Sequence, residues 1–67
     1  MNRINVISSN LKSVGYDPIT KILEIEFKSN KVYSYINVPK SVYDGLINAS
    51  SHGKYFSTFI RDVYSLR

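Results

Sequence analysis

The segment Ile22–Asn37 constrains the fold of this chain more than any other. Ile22-Leu23-Glu24-Ile25-Glu26-Phe27 alternates apolar and acidic residues, the period of a strand with one buried face. Ser29-Asn30 reads as a turn, because Asn tolerates positive φ. Val32–Asn37 then returns as a second strand carrying Tyr33-Ser34-Tyr35. Tyrosines two residues apart on a strand point to the same face. A two-residue loop at Ser29-Asn30 sets Phe27 opposite Val32, Glu26 opposite Tyr33, Ile25 opposite Ser34, Glu24 opposite Tyr35 and Leu23 opposite Ile36. Residues directly opposite share a face. Leu23, Ile25, Phe27, Val32 and Ile36 then form the core face, and Tyr33 and Tyr35 stand on the wet face beside Glu24 and Glu26. A three-residue loop shifts the register by one and sends both tyrosines into the core. The two-residue register is preferred because it keeps the glutamates and both apolar sets consistent, although it sets Lys28 against Lys31.

The flanking segments complete a small α+β domain. Ile4 and Val6 lie on one side of a short alternation before Ser8-Ser9-Asn10, either a brief strand or an ordered arm. Leu11–Tyr16 reads as a strand with Val14 and Tyr16 on one face; Gly15 between them marks a bulge or a close backbone approach. Asp17-Pro18-Ile19-Thr20 is a turn: the Asp carboxylate can bond its own backbone and Pro presets φ. Past Val38-Pro39, where Pro suits a first helical turn, Val42, Leu46 and Ala49 form an apolar stripe at helical spacing, flanked by Tyr43 and Ile47. A second helix is expected from near Gly53 to about Val63, with Phe56, Ile60 and Val63 on its stripe and Ser50 or Ser51 as its cap. The expected architecture is a three-stranded antiparallel meander with a short N-terminal fourth strand as an option. A C-terminal helical hairpin covers one face, in the order (β)βββαα.

At 67 residues the chain makes one domain, residues 1–67, with one small core. It has no cysteine, so neither a disulfide nor a thiolate zinc site staples it. Nine aromatics supply large buried area per residue instead, and self-association into a homo-oligomer is a further route to stability. No stretch approaches the roughly 20 apolar residues of a membrane helix, and the N-terminus lacks a secretory signal. A cytoplasmic protein with no membrane partner is the expectation.

Several segments together resemble one family. They are Val14-Gly15-Tyr16-Asp17, Leu23-Glu24-Ile25-Glu26-Phe27, Tyr33-Ser34-Tyr35, Val38-Pro39, and Ala49-Ser50-Ser51-His52-Gly53-Lys54-Tyr55-Phe56 followed by Ile60-Arg61 and Tyr64. The pattern resembles the KTSC domain over about residues 8–64. That family is named for its occurrence at the C-terminus of some lysyl-tRNA synthetases, and it also occurs as stand-alone bacterial and phage proteins. Its central Tyr-x-Tyr is matched by Tyr33 and Tyr35; the glycine of its preceding turn is replaced, with Asn30 the nearest equivalent. The resemblance implies this fold, and the synthetase context implies RNA binding.

Two clusters stand out as candidate sites. Exposed, Tyr33 and Tyr35 would stack unpaired bases, with Lys28, Lys31, Lys54 and Arg61 meeting phosphates; against this, Glu24 and Glu26 on the same face would repel a phosphate backbone. The alternative for the tyrosines is ordinary cross-strand packing. Ser51-His52-Gly53-Lys54 opens a helix and offers free N–H groups to an anion, a nucleotide or a phosphate; the alternative is a capped turn between helices. A net charge of +4 spread over scattered lysines fits a polyanionic partner as well as plain solubility. One histidine and five carboxylates offer no catalytic or metal-binding constellation, so neither an enzyme nor a cofactor is expected. The expected function is a non-catalytic module binding RNA or single-stranded nucleic acid. The alternatives are a homo-oligomer that holds a nucleotide or phosphate, and a protein-interaction module.

Overall fold

Four strands precede two helices in the computed structural model, which describes residues 1–67. The strands are β1 (Arg3–Asn5), β2 (Leu11–Asp17), β3 (Ile22–Phe27) and β4 (Val32–Tyr35); the helices are α1 (Lys40–Asn48) and α2 (His52–Phe59). The strands pair antiparallel in sequence order, β1-β2-β3-β4. The α+β meander and its C-terminal helical pair are therefore as the sequence implies, and the optional first strand is real, although it sits slightly earlier than the Ile4–Ile7 alternation. No helix is long and apolar enough to cross a membrane.

The β3–β4 loop corrects the register expected from the sequence. Leu23 pairs with Tyr35, Glu24 with Ser34, Ile25 with Tyr33 and Glu26 with Val32. The loop holds three residues, Lys28-Ser29-Asn30. It closes through Phe27 N–H donating to Lys31 O at 2.8 Å and Asn30 N–H donating to Phe27 O at 2.9 Å. Asn30 adopts φ +70°, the left-handed conformation that a three-residue hairpin loop requires at its last position. Asn reaches it because its short polar side chain lowers the steric penalty. The one-residue difference exchanges the faces of β4. Tyr33 and Tyr35 join Leu23, Ile25 and Phe27, while Val32 turns to the far side with Glu24 and Glu26. Lys28 and Lys31 no longer oppose each other.

A second irregularity aligns β2 with this core. Leu11 pairs with Phe27 but Ser13 with Glu26, so Lys12 is an extra residue in the ladder. This bulge lets Leu11 and Val14, three apart, share the core face. Gly15 is not the bulge. It is a close approach, since a Cβ there would lie 3.0 Å from both Arg3 Cγ and Asn2 O where β1 crosses.

Leu11, Val14, Leu23, Ile25, Tyr35, Val38, Leu46, Phe56 and Ile60 form one buried cluster between sheet and helices. Each helix contributes from its apolar stripe, Leu46 from α1 and Phe56 from α2. The helices meet at Gly45, where an added Cβ would overlap the Tyr55 hydroxyl. α2 stops at Phe59, short of Val63, which is exposed. The chain beyond it turns back to the free edge of β4: Ile36 N–H donates to Ser65 O at 2.9 Å and Arg67 N–H to Ser34 O at 2.8 Å. This short pairing covers an edge that would otherwise present unpaired backbone groups.

Two substitutions test these local causes. Asn30→Ala should lower stability by about 1–2 kcal/mol, the left-handed penalty for a residue with Cβ, whereas Asn30→Gly should leave the urea midpoint unchanged or raised. Gly45→Ala should destabilise the fold although Ala is the better helix former by about 1 kcal/mol, and Tyr55→Leu in the same chain should recover part of the loss in thermal unfolding.

Candidate nucleic-acid interface

The corrected register sorts charge between the two faces of the sheet. On the outer face Arg3 Nε bonds Glu24 Oε1 at 2.6 Å and Arg3 Nη1 lies 3.4 Å from Glu26 Oε1. Ser13 Oγ donates to Glu26 Oε1 at 2.8 Å, and Lys12 Nζ approaches Glu26 Oε2 at 3.9 Å. On α1, Asp44 pairs with Lys40 at 2.9 Å. Lys28, Lys31, Lys54 and Arg61 make no ion pair. The cations singled out from the sequence are thus all uncompensated, as Lys21 and Arg67 also are, and the two glutamates that argued against a phosphate ligand lie on the opposite side of the sheet from Tyr33.

Four of the expected residues converge. Lys31, Tyr33, Tyr35 and Arg61 line one concavity of about 220 Å³ with Phe27, Ser29 and Phe56. Its aromatic wall is a chain of edge contacts: Phe27 to Tyr33 at 5.4 Å, Phe27 to Phe56 at 5.5 Å and Tyr35 to Phe56 at 5.8 Å between centroids. Arg61 arrives from the end of α2. Phe56 O accepts both Ile60 N–H at 3.0 Å and Arg61 N–H at 2.9 Å, so the last turn widens in the manner of a π-turn. The guanidinium carbon then stands 5.4 Å from the Phe56 ring centre, within cation–π range. Asp62, next in sequence, takes φ +61° and does not line the concavity.

The tyrosines are not equivalent, which corrects the expectation of a two-ring platform. Tyr33 is 39% exposed, whereas Tyr35 is 5% exposed and belongs to the core. Burial pushes the Tyr35 phenol above its ordinary range, with Arg61 pulling it down and Tyr33 and Asp62 adding to the rise. Tyr33, held at its edge by Phe27, is therefore the ring free to stack a base, and Tyr35 is the buried floor beside Phe56. Sequence reasoning missed Phe27 and Phe56 as walls of this site. Their membership follows from the register and the packing of α2, neither of which a spacing rule carries.

Lys28 lies next door, lining a hollow of about 210 Å³ with Ser9, Asn10, Phe27, Ser29 and Arg61. Lys54 belongs to a third hollow of about 410 Å³, walled by residues 7–10 and the 50–54 turn. In that turn Ser51 Oγ accepts Lys54 N–H at 3.2 Å, the cap of α2. His52 Nδ1 lies 2.8 Å from Leu46 O and must donate there, since a carbonyl only accepts; in the neutral ring Nε2 then carries a lone pair. Two of the donors offered to an anion by the Ser51-His52-Gly53-Lys54 reading are therefore engaged in capping. Gly53 has no positive φ; its missing side chain admits Ser8, whose Oγ would lie 3.3 Å from a Cβ. No three of the His, Asp and Glu side chains converge as metal ligands would.

Tyr16 provides a second phenol held in the fold. Its hydroxyl donates to Val38 O at 2.6 Å and its ring stacks on Tyr43 at 4.9 Å. Desolvation raises its pKa, against an opposing pull from Lys40 and smaller rises from Asp44 and Asp17. Tyr16 and Tyr35 both have folded pKa values above the unfolded one. Their stabilisation is complete below the unfolded value of about 10 and is lost as pH rises through the folded value. Phenolate absorbance should show Tyr16 and Tyr35 ionising above the ordinary phenol range. Thermal stability should fall above about pH 10, and Tyr16→Phe with Tyr35→Phe should flatten that fall.

Residues 7–64 match the KTSC domain, and the chain belongs to that family. An uncharacterised protein of Stutzerimonas stutzeri is 46% identical over 57 residues, covering 85% of this chain and 80% of that protein. A lysine–tRNA ligase of Nostoc sp. is 43% identical over 56 residues, which are 84% of this chain but 10% of the ligase. The crystal structure of a KTSC domain protein from Yersinia pestis superposes with a TM-score of 0.95 at 35% identity, covering 98% of this chain and 93% of that one.

Proposed function

We propose that this member of the KTSC domain family is a non-catalytic module that binds RNA or other single-stranded nucleic acid. The observation that carries this reading is the concavity in which Tyr33, Lys31 and Arg61 meet with no carboxylate among its lining residues. An exposed aromatic ring beside unpaired cations is the pairing that single-strand binding uses: stacking for any base, charge for the backbone. The fixed Phe27 and Phe56 rings hold Tyr33 and Arg61 in place, so little side-chain freedom is lost on binding. Occurrence of the domain within lysine–tRNA ligases, enzymes whose name gives tRNA as a substrate, supports the same ligand class. Such a role belongs in the cytoplasm.

Fluorescence anisotropy with a labelled single-stranded RNA tests the proposal. Tyr33→Ala should weaken binding by about 1–3 kcal/mol, the contribution of one stacked base. Lys31→Ala should weaken it and lower the salt slope by about one. Arg3→Ala, on the outer face, should do neither. Unchanged affinity in folded Tyr33→Ala and Lys31→Ala proteins would overturn the assignment.

A further inference from the structure

Resting on that reading, we infer that the ligand is a strand several nucleotides long, running from Tyr33 across Arg61 to the Lys54 turn, and not a mononucleotide held in one pocket. The three hollows adjoin one another through shared walls. The Tyr33 concavity shares Phe27, Ser29 and Arg61 with the Lys28 hollow. The Lys28 hollow in turn shares Ser9 and Asn10 with the large hollow at Lys54. Every hollow carries at least one cation that has no ion-pair partner, and no Asp or Glu lines any of them. A band of one sign favours a polyanion along its whole length.

One hydrogen bond and one close approach bring the parts of the band together. Lys28 N–H donates to Asn10 O at 2.9 Å, tying the hairpin loop to residues 8–10. Gly53, having no Cβ, leaves room for Ser8 to lie close against the start of α2, bringing the same residues beside the helical turn. Residues 8–10 are thus a saddle between the two cationic ends. The chemistry changes along the band. The Tyr33 end is aromatic, suited to a base, whereas the Lys54 end is lined largely by serine hydroxyls and Asn10, suited to phosphate and ribose oxygens. A strand lying there stacks at one end and is held by its backbone at the other.

The test compares uridine monophosphate, a dinucleotide and an oligouridylate of about eight residues, within the range single-strand sites occupy, against the wild type, Tyr33→Ala and Lys54→Glu. Lys54→Glu should fold normally, because the cap uses its backbone N–H and an acidic residue at that helical position is favourable. The expected result is that the oligomer binds at least about tenfold tighter than the dinucleotide, and that Lys54→Glu lowers oligomer affinity by about tenfold, roughly 1.4 kcal/mol, with a smaller loss for the dinucleotide. A dinucleotide that binds as tightly as the oligomer overturns the extended path. So does an oligomer indifferent to Lys54→Glu yet weakened by Tyr33→Ala, and in both cases the Tyr33 site stands. No binding of any probe overturns the Tyr33 site and the path together.

Discussion

The left-handed backbone at Asn30 is the constraint from which the rest of this structure follows. It makes the β3–β4 loop three residues long, and loop length fixes register. Register decides which side of the sheet each residue of β4 occupies. One residue less would have put Val32 in the core and both tyrosines beside Glu24 and Glu26. With Asn30 at φ +70°, Tyr35 becomes the floor of the core, Tyr33 the lip of a concavity, and the two glutamates are confined to the outer face, where Arg3 and Lys12 neutralise them. The same event therefore builds the hydrophobic core and clears acid from the candidate site.

Packing then converts that separation into a surface. Phe56 from α2 contacts Phe27 and Tyr35 at their edges. Its carbonyl also accepts two N–H groups, and the widened turn carries Arg61 back over its own ring. Arg61 is thereby placed by the core and not by a surface ion pair, which would hold it only weakly. The bulge at Lys12 has the corresponding effect on the other side of the sheet: it keeps Leu11 and Val14 facing inward while Ser13 turns outward to Glu26. In a domain this small such irregularities matter, because each core position is a large fraction of the whole.

Much of this was legible in the sequence, and the illegible part has definite causes. The alternation of β3, the Asp17-Pro18 turn, the Val42–Leu46 stripe and the Phe56–Ile60 pair each follow a local rule and each appear in the fold. The loop length did not follow, because Ser29-Asn30 satisfies the chemistry of a two-residue turn as well as the last two positions of a three-residue one. Gly15 read as a bulge or a close backbone approach and proves to be the close approach, whereas the bulge falls at Lys12, which leaves no compositional trace. α2 ends before Val63 because the chain turns at Ile60 to reach the β4 edge, a tertiary demand that the apolar spacing of Phe56, Ile60 and Val63 conceals. The site cations were identifiable by type. Their grouping into Lys31 with Arg61, Lys28 beside them and Lys54 beyond the saddle is a property of the folded chain alone.

The central claim is that the register keeps Glu24 and Glu26 off the face where Tyr33, Lys31 and Arg61 stand open to a single-stranded nucleic acid. Backbone and side-chain chemical-shift mapping with an unstructured RNA, at low and moderate salt, addresses it most directly. Shifts confined to Lys28, Lys31, Tyr33, Phe56 and Arg61 and to the path over Ser9 and Asn10 to Lys54, fading as salt rises, with Arg3, Glu24 and Glu26 silent, are the predicted result. Shifts centred on the outer face, spread evenly over all lysines, or absent at low salt would contradict the account.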